Sequence, residues 1–130
     1  MKKLTIRWQR LVDETGRTCE RCSSTERSVD ASFVQLRKSL SGLGIDVELK
    51  KEMLAPSAFK EDPLKSNCIW IQEKPLEEWI GANVGRSQCC DVCGEAECRT
   101  VSTGQKTFET IPAQIIIQAG LLAAADLLKN

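Results

Sequence analysis

Histidine is missing from this 130-residue chain, and so is any net charge, since 18 Lys and Arg balance 18 Asp and Glu. Without imidazole there is no ordinary Cys-His or Ser-His nucleophile pair, no imidazole metal ligand and no proton shuttle tuned to neutral pH. Balanced charge supplies no general attraction to nucleic acid or an anionic membrane, so neither is expected as a partner. Long apolar runs are missing as well. Ile115 to Leu128 is broken by Gln118 and Asp126 and is too short to span a bilayer as a helix. Met1-Lys2-Lys3 is basic, but Arg7, Gln9 and Arg10 interrupt the segment Leu4 to Leu11, which does not read as a signal peptide. There is no phosphate-binding loop, Rossmann glycine pattern or lipidation signal. With 42% hydrophobic and 28% charged residues, one soluble domain spanning residues 1–130 is expected.

What the chain does have is cysteine, seven in all. The count is odd, so at least one thiol finds no partner within the chain. A cytoplasmic, thiol-reducing setting is the expectation, and there clustered cysteines serve as metal ligands or redox centres more often than as structural bridges.

Hydrophobic periodicity outlines the fold. From Leu4 to Leu11, Leu4, Ile6 and Trp8 alternate with polar neighbours, which predicts a first strand. Val12 to Thr18 reads as a loop. Cys19-Glu20-Arg21-Cys22 follows, then Ser23-Ser24-Thr25, residue types suited to capping, so this CxxC is expected just before a helix. Val29, Phe33, Leu36, Leu40 and Leu43 give that helix one apolar stripe, and Gly42 and Gly44 mark its end. Ile45, Val47 and Leu49 alternate with Asp46, Glu48 and Lys50 in a second strand. Pro56 to Glu61 forms a short helix, and Cys68-Ile69-Trp70-Ile71 a third, central strand. Pro75 to Ile80 is a further helical turn. Beyond the cysteine-rich stretch Gly85 to Glu97, a fourth strand is expected at Cys98 to Val101 or around Gln105 to Glu109, with Ser102-Thr103-Gly104 as a turn. Thr110 and Pro112 open a last helix to about Leu128. It is apolar on most sides and suited to cover either this chain's sheet or a second copy in a homodimer. The order β-α-β-α-β-β-α, with a cysteine-rich insertion between the last two strands, predicts an α/β sandwich and is the order of a thioredoxin-like fold.

Two cysteine groups carry the candidate chemistry. Cys19 and Cys22 are spaced to close a disulfide, and a helix N-terminus beside them favours a thiolate. The same pair is also half of a zinc site. Cys89-Cys90-x-x-Cys93 and Cys98, with Gly94 available for a tight turn, offer four thiolates within ten positions, a donor set for Zn(II). The adjacent pair Cys89-Cys90 is awkward around one small ion, so three of the four, or Cys93 and Cys98 joined to Cys19 and Cys22, are alternative sets. Cys68 alone reads as a small buried hydrophobe. In a thioredoxin-like arrangement it stands beside the CxxC as a third thiol. Trp8, Trp70 and Trp79 read as packing residues, and nothing in the sequence orients the pair Glu77-Glu78 for acid-base work.

LTIRWQRLVDETGRTCERC near the start, DPLKSNCIWIQEKPLEEWIGA in the middle and SQCCDVCGEAECRT before TIPAQIIIQAGLLAA together resemble a prokaryotic family known as domain of unknown function 2703. The resemblance covers nearly the whole chain and implies a thioredoxin-like fold in a small cytosolic protein. Two departures separate the chain from thioredoxins proper: the loop Val12 to Thr18 is longer, and Asn67-Cys68 stands where those proteins carry a cis-proline.

The first functional expectation is a thiol-disulfide oxidoreductase acting on a thiol or disulfide substrate, with Cys19 attacking, Cys22 resolving and Cys68 nearby. The alternative is noncatalytic binding of zinc or a soft metal or metalloid ion through Cys89, Cys90, Cys93 and Cys98. An interaction domain with incidental thiols is the third reading.

Overall fold

The computed structural model describes residues 2–12, 20–62, 66–88, 97–104 and 106–129. It is a mixed α/β structure built on a four-stranded sheet of order β2-β1-β3-β4. The strands are β1 (Lys2–Leu11), β2 (Ile45–Leu54), β3 (Cys68–Ile71) and β4 (Lys74–Pro75). β1 and β2 run parallel across the long helix α1 (Glu20–Leu40), which ends in a turn of 3-10 helix at Ser41–Leu43. β3 is antiparallel to β1, and β4 to β3. The short helix α2 (Pro56–Glu61) lies between β2 and β3 in sequence, and α3 (Leu76–Ile80) follows β4. A second, antiparallel sheet comes next, with β5 (Asn83–Gln88), β6 (Glu97–Thr103) and β7 (Lys106–Phe108) in that order. The last helix, α4 (Ala113–Leu128), closes the chain. Among the described residues no helix is long and apolar enough to cross a membrane.

The alternation expected for the first strand holds where it matters. Leu4, Ile6 and Trp8 are fully buried on the face covered by α1 and α4, which pack against each other as well as on the sheet. Val47 and Ile45 extend that face on β2, and Ile69 and Ile71 on β3. Lys51 belongs to the same face near its edge and pairs with Glu26 and Asp30 of α1, both at 2.9 Å. Side chains of the opposite parity make a charged second face. There Lys3 meets Glu48, Arg7 meets Glu52 at 3.0 Å, and the Arg7 guanidinium stacks over Trp70 with 4.1 Å to the ring centre.

Two sequence expectations need correction. The CxxC was expected to precede its helix, with Ser23 to Thr25 as caps, yet α1 begins at Glu20, so Cys22 lies inside its first turn. The hydroxyls of Ser24 and Thr25 are engaged elsewhere: Ser24 Oγ accepts from Arg27, and Thr25 Oγ1 accepts the Ile111 amide at 3.2 Å, tying α1 to the segment before α4. The second correction concerns the cysteine-rich insertion, expected between the third and fourth strands. Instead β4 follows β3 directly through Gln72 and Glu73, both in the left-handed region with φ of 56° and 64°. Consecutive left-handed residues make a type I′ hairpin turn, which usually announces itself with Asn or Gly. The Gln72 side chain supports it, accepting from the Thr5 amide and donating to the Lys3 carbonyl. Both segments proposed for a fourth strand are strands, but they belong to the second sheet.

α4 turns Ile116, Ala119, Ala123 and Ala124 inward, and so covers this chain's own sheet. Its approach to α1 depends on Gly120, where an added Cβ would come within 2.5 Å of the buried Leu36 Cδ1. Gly120→Val is expected to lower stability by about 1–3 kcal/mol, as overpacking does in a closed core, measured from the urea midpoint.

Candidate thiol site

Cys22 is the third residue of α1, a position where backbone amides have no intrahelical acceptor and the helix end is partially positive. Its sulfur is buried 3.6 Å from the Ser66 hydroxyl. The same Ser66 Oγ accepts the Leu11 amide at 3.0 Å. Leu11 is the last residue of β1, and Ser66 stands two residues ahead of β3. One wholly buried hydroxyl therefore joins the C-terminal end of the central strand, the entry to its antiparallel neighbour and the first turn of the long helix. Cys19 directly precedes α1 in sequence and lies outside the described residues.

Asn67 holds the next turn in the left-handed region, φ 58°, which asparagine tolerates better than most residues. Its Oδ1 accepts the Trp8 indole N–H at 3.2 Å, and its Nδ2 donates to the Glu109 carbonyl at 3.4 Å. The buried Trp8 thus keeps its polar atom satisfied beneath α1.

Cys68 lies at the same end of the sheet but faces the other way. It pairs with Gln9, whereas Ile69 pairs with Trp8 on the helix-covered face, so alternation puts Cys68 on the face of Arg7 and Trp70. Its charged surroundings agree: Arg99, Glu77, Arg7 and Asp62 all act on the thiol. Burial pushes its pKa up from 9.0 to about 11, with the Arg99 and Arg7 cations holding it down and the Glu77 and Asp62 carboxylates adding to the rise.

Arg99 comes from β6, one residue after Cys98, and forms an ion pair with Glu77 of α3. The pair is nearly enclosed, with side chains 11% and 10% exposed. Glu77, which sequence alone left without a task, anchors the second sheet to the end of the first. Cys89, Cys90 and Cys93 lie outside the described residues, and Cys98 is described as backbone only, opposite Ser87. Among the described residues no cluster of three or more Cys, Asp or Glu side chains is arranged around a metal position. Ser66 and Arg99 are not singled out by the sequence, and Asn67 and Glu77 are noted there without these partners. The one signal available was Ser66-Asn67, two polar residues immediately before an apolar strand.

Two outcomes follow from this geometry. Folded Cys68 keeps its proton while the unfolded thiol ionises, so its contribution to stability is intact below pH 9.0 and is lost as pH rises through about 11. The loss amounts to about 2–3 kcal/mol, and denaturation from pH 8 to about pH 11 is expected to show a shallower decline in Cys68→Ala. Glu77→Gln removes the carboxylate facing a buried cation and is expected to cost on the order of 3 kcal/mol. It should also speed alkylation of Cys68, read by peptide mass mapping, as the second sheet loosens over it.

Comparison with known proteins agrees with the resemblance noted from sequence. Residues 4–120 match the family model described as Domain of unknown function (DUF2703). An uncharacterised protein of Archaeoglobus fulgidus is 42% identical over 114 residues, covering 88% of this chain and 82% of its own. No solved structure matches. With the family model spanning most of the chain and a relative of this identity aligned over most of both sequences, the protein belongs to the domain of unknown function family DUF2703.

Proposed function

We propose that this chain performs thiol-disulfide exchange at Cys19 and Cys22 within a thioredoxin-like framework. The observation that carries the reading is the Cys22 sulfur, buried in the first turn of α1 against Ser66 Oγ at the C-terminal end of the central strand. Amides and a helix end stabilise a thiolate there, and a buried sulfur three residues after an attacking one suits the resolving role. The framework is supported by the sheet order β2-β1-β3-β4, with the first pair parallel across α1, the later strands antiparallel and α4 packed beside α1. That order is the one thioredoxin-like proteins share.

In the exchange, the Cys19 thiolate bonds to one sulfur of a substrate disulfide, and the other substrate sulfur leaves as a thiolate that takes a proton. Cys22 then bonds to Cys19 Sγ. The bond between Cys19 and the substrate breaks, its electron pair goes to the departing substrate sulfur, and that sulfur gains the proton Cys22 gave up. The substrate is reduced to two thiols and Cys19–Cys22 is oxidised to a disulfide, which a dithiol reductant returns to the starting state.

A second reading, zinc or soft-ion binding by Cys89, Cys90, Cys93 and Cys98, is favoured by the β5–β6 hairpin. Its register sets Gln88 opposite Glu97 and Ser87 opposite Cys98, so the two ends of the cysteine segment start one strand spacing apart. Four thiolates on such a segment suit a thiophilic ion held without catalysis.

Dithiothreitol-coupled reduction of insulin tests the first reading. Cys19→Ser is expected to fall to the rate of dithiothreitol alone, Cys22→Ser to arrest as a mixed disulfide visible in the intact mass, and Cys68→Ala to stay near the unaltered protein. An active Cys19→Ser variant would sink the proposal. Native mass spectrometry of anaerobically purified protein tests the second, where an added metal mass lost in Cys93→Ser supports it.

A further inference from the structure

We infer that Ser66 is a positioning residue for the redox sulfur, donating its hydroxyl proton to the Cys22 thiolate while its oxygen holds the end of β1. The inference rests on the exchange reading for its functional meaning, since it supplies what the resolving thiol needs in a chain without histidine.

The argument begins with the hydrogen-bonding capacity of a hydroxyl, one donor and two acceptor positions. Leu11 N–H occupies one acceptor position of Ser66 Oγ at 3.0 Å. This leaves the Ser66 proton and one lone pair, and Cys22 Sγ lies within reach at 3.6 Å. When Cys22 is a thiol, S–H donates to the free lone pair. When it is a thiolate, the hydroxyl rotates about its C–O bond and O–H donates to sulfur. The contact persists in both states but is charge-assisted only in the second, so it favours ionisation. Ser66 is wholly buried, which keeps water from weakening the interaction. Its backbone is fixed by the adjoining turn, where Asn67 is bonded to both Trp8 and Glu109. The hydroxyl therefore cannot drift away from a sulfur that has changed charge. Ser66 makes no bond in the exchange itself; it prepares Cys22 to attack.

The test is a pH titration of ultraviolet thiolate absorbance in the reduced protein, with the Cys22 step identified by its disappearance in Cys22→Ser. Ser66→Ala is expected to raise that midpoint by about one pH unit, the size of a lost charge-assisted hydrogen bond. Ser66→Thr, which keeps the hydroxyl, is expected to restore it, and in the Cys22→Ser background Ser66→Ala is expected to leave the remaining thiolate titration unchanged. An unmoved midpoint in folded Ser66→Ala overturns the inference. Should that variant fail to fold, amide-resolved NMR of the unaltered protein answers the same question. The Leu11 amide resonance is expected to titrate with the Cys22 midpoint and to lose that step in Cys22→Ser, and a Leu11 amide insensitive to Cys22 overturns the inference. None of these readouts needs turnover. A protein inactive toward disulfides but with a Ser66-dependent Cys22 midpoint would refute the exchange reading alone.

Discussion

Three successive residues, Ser66, Asn67 and Cys68, hold the end of the sheet beside Cys22 in one conformation. Ser66 binds the last amide of β1 and touches the Cys22 sulfur; Asn67 binds the Trp8 indole and the Glu109 carbonyl; Cys68 begins the pairing of β3 with β1. Each link joins segments far apart in the sequence, so the turn depends on the sheet and helix around it. Its polar groups are buried, and a buried polar group left unmatched costs more than a hydrogen bond contributes when made. The arrangement is consequently all or nothing. Moving the turn would break the partners of a strand end, a core tryptophan and the approach to the last helix together.

The sheet separates two thiols that lie close in the fold. Cys22 belongs to the helix-covered side, buried against the Ser66 hydroxyl in the first turn of α1. Cys68 belongs to the opposite side, buried where the opposing influences of two cations and two carboxylates partly cancel, and desolvation governs it. The same side chain thus has different surroundings on the two faces. Glu77 and Arg99 extend this division, because their ion pair brings the second sheet, and with it the strand that carries Cys98, to the Cys68 side.

Much of the framework was legible residue by residue. Leu4, Ile6 and Trp8 announced a half-buried strand by period-two alternation, and Val29, Phe33, Leu36, Leu40 and Leu43 a helix face by their spacing; the three strand residues, Val29, Leu36 and Leu40 are buried and Phe33 partly so, whereas Leu43 falls in the 3-10 turn after α1 and is exposed. Cysteine spacing pointed to Cys22. The hairpin at Gln72 and Glu73 was not legible, since neither residue type signals a left-handed turn, and it is held by Gln72 reaching across to β1. Without a signal for that turn, the strand pattern further along points to residues that form a sheet of their own. The start of α1 is obscured for a related reason: Ser23 to Thr25 have capping chemistry, but Thr25 satisfies Ile111, a partner 86 positions away.

The sequence by itself determined the α/β class, the approximate helices and strands, the absence of imidazole chemistry and the concentration of candidate function in thiols. These follow from periodicity and composition, which act over a few neighbouring residues or over none. Tertiary structure alone decided that Cys22 meets Ser66, that Cys68 faces away from the helix bearing Cys22, and that Glu77 finds Arg99. Those facts depend on strand register and on which face each side chain takes, and a one-residue change of register reverses every face. Long-range pairing sets the register, and no local pattern in the chain records it.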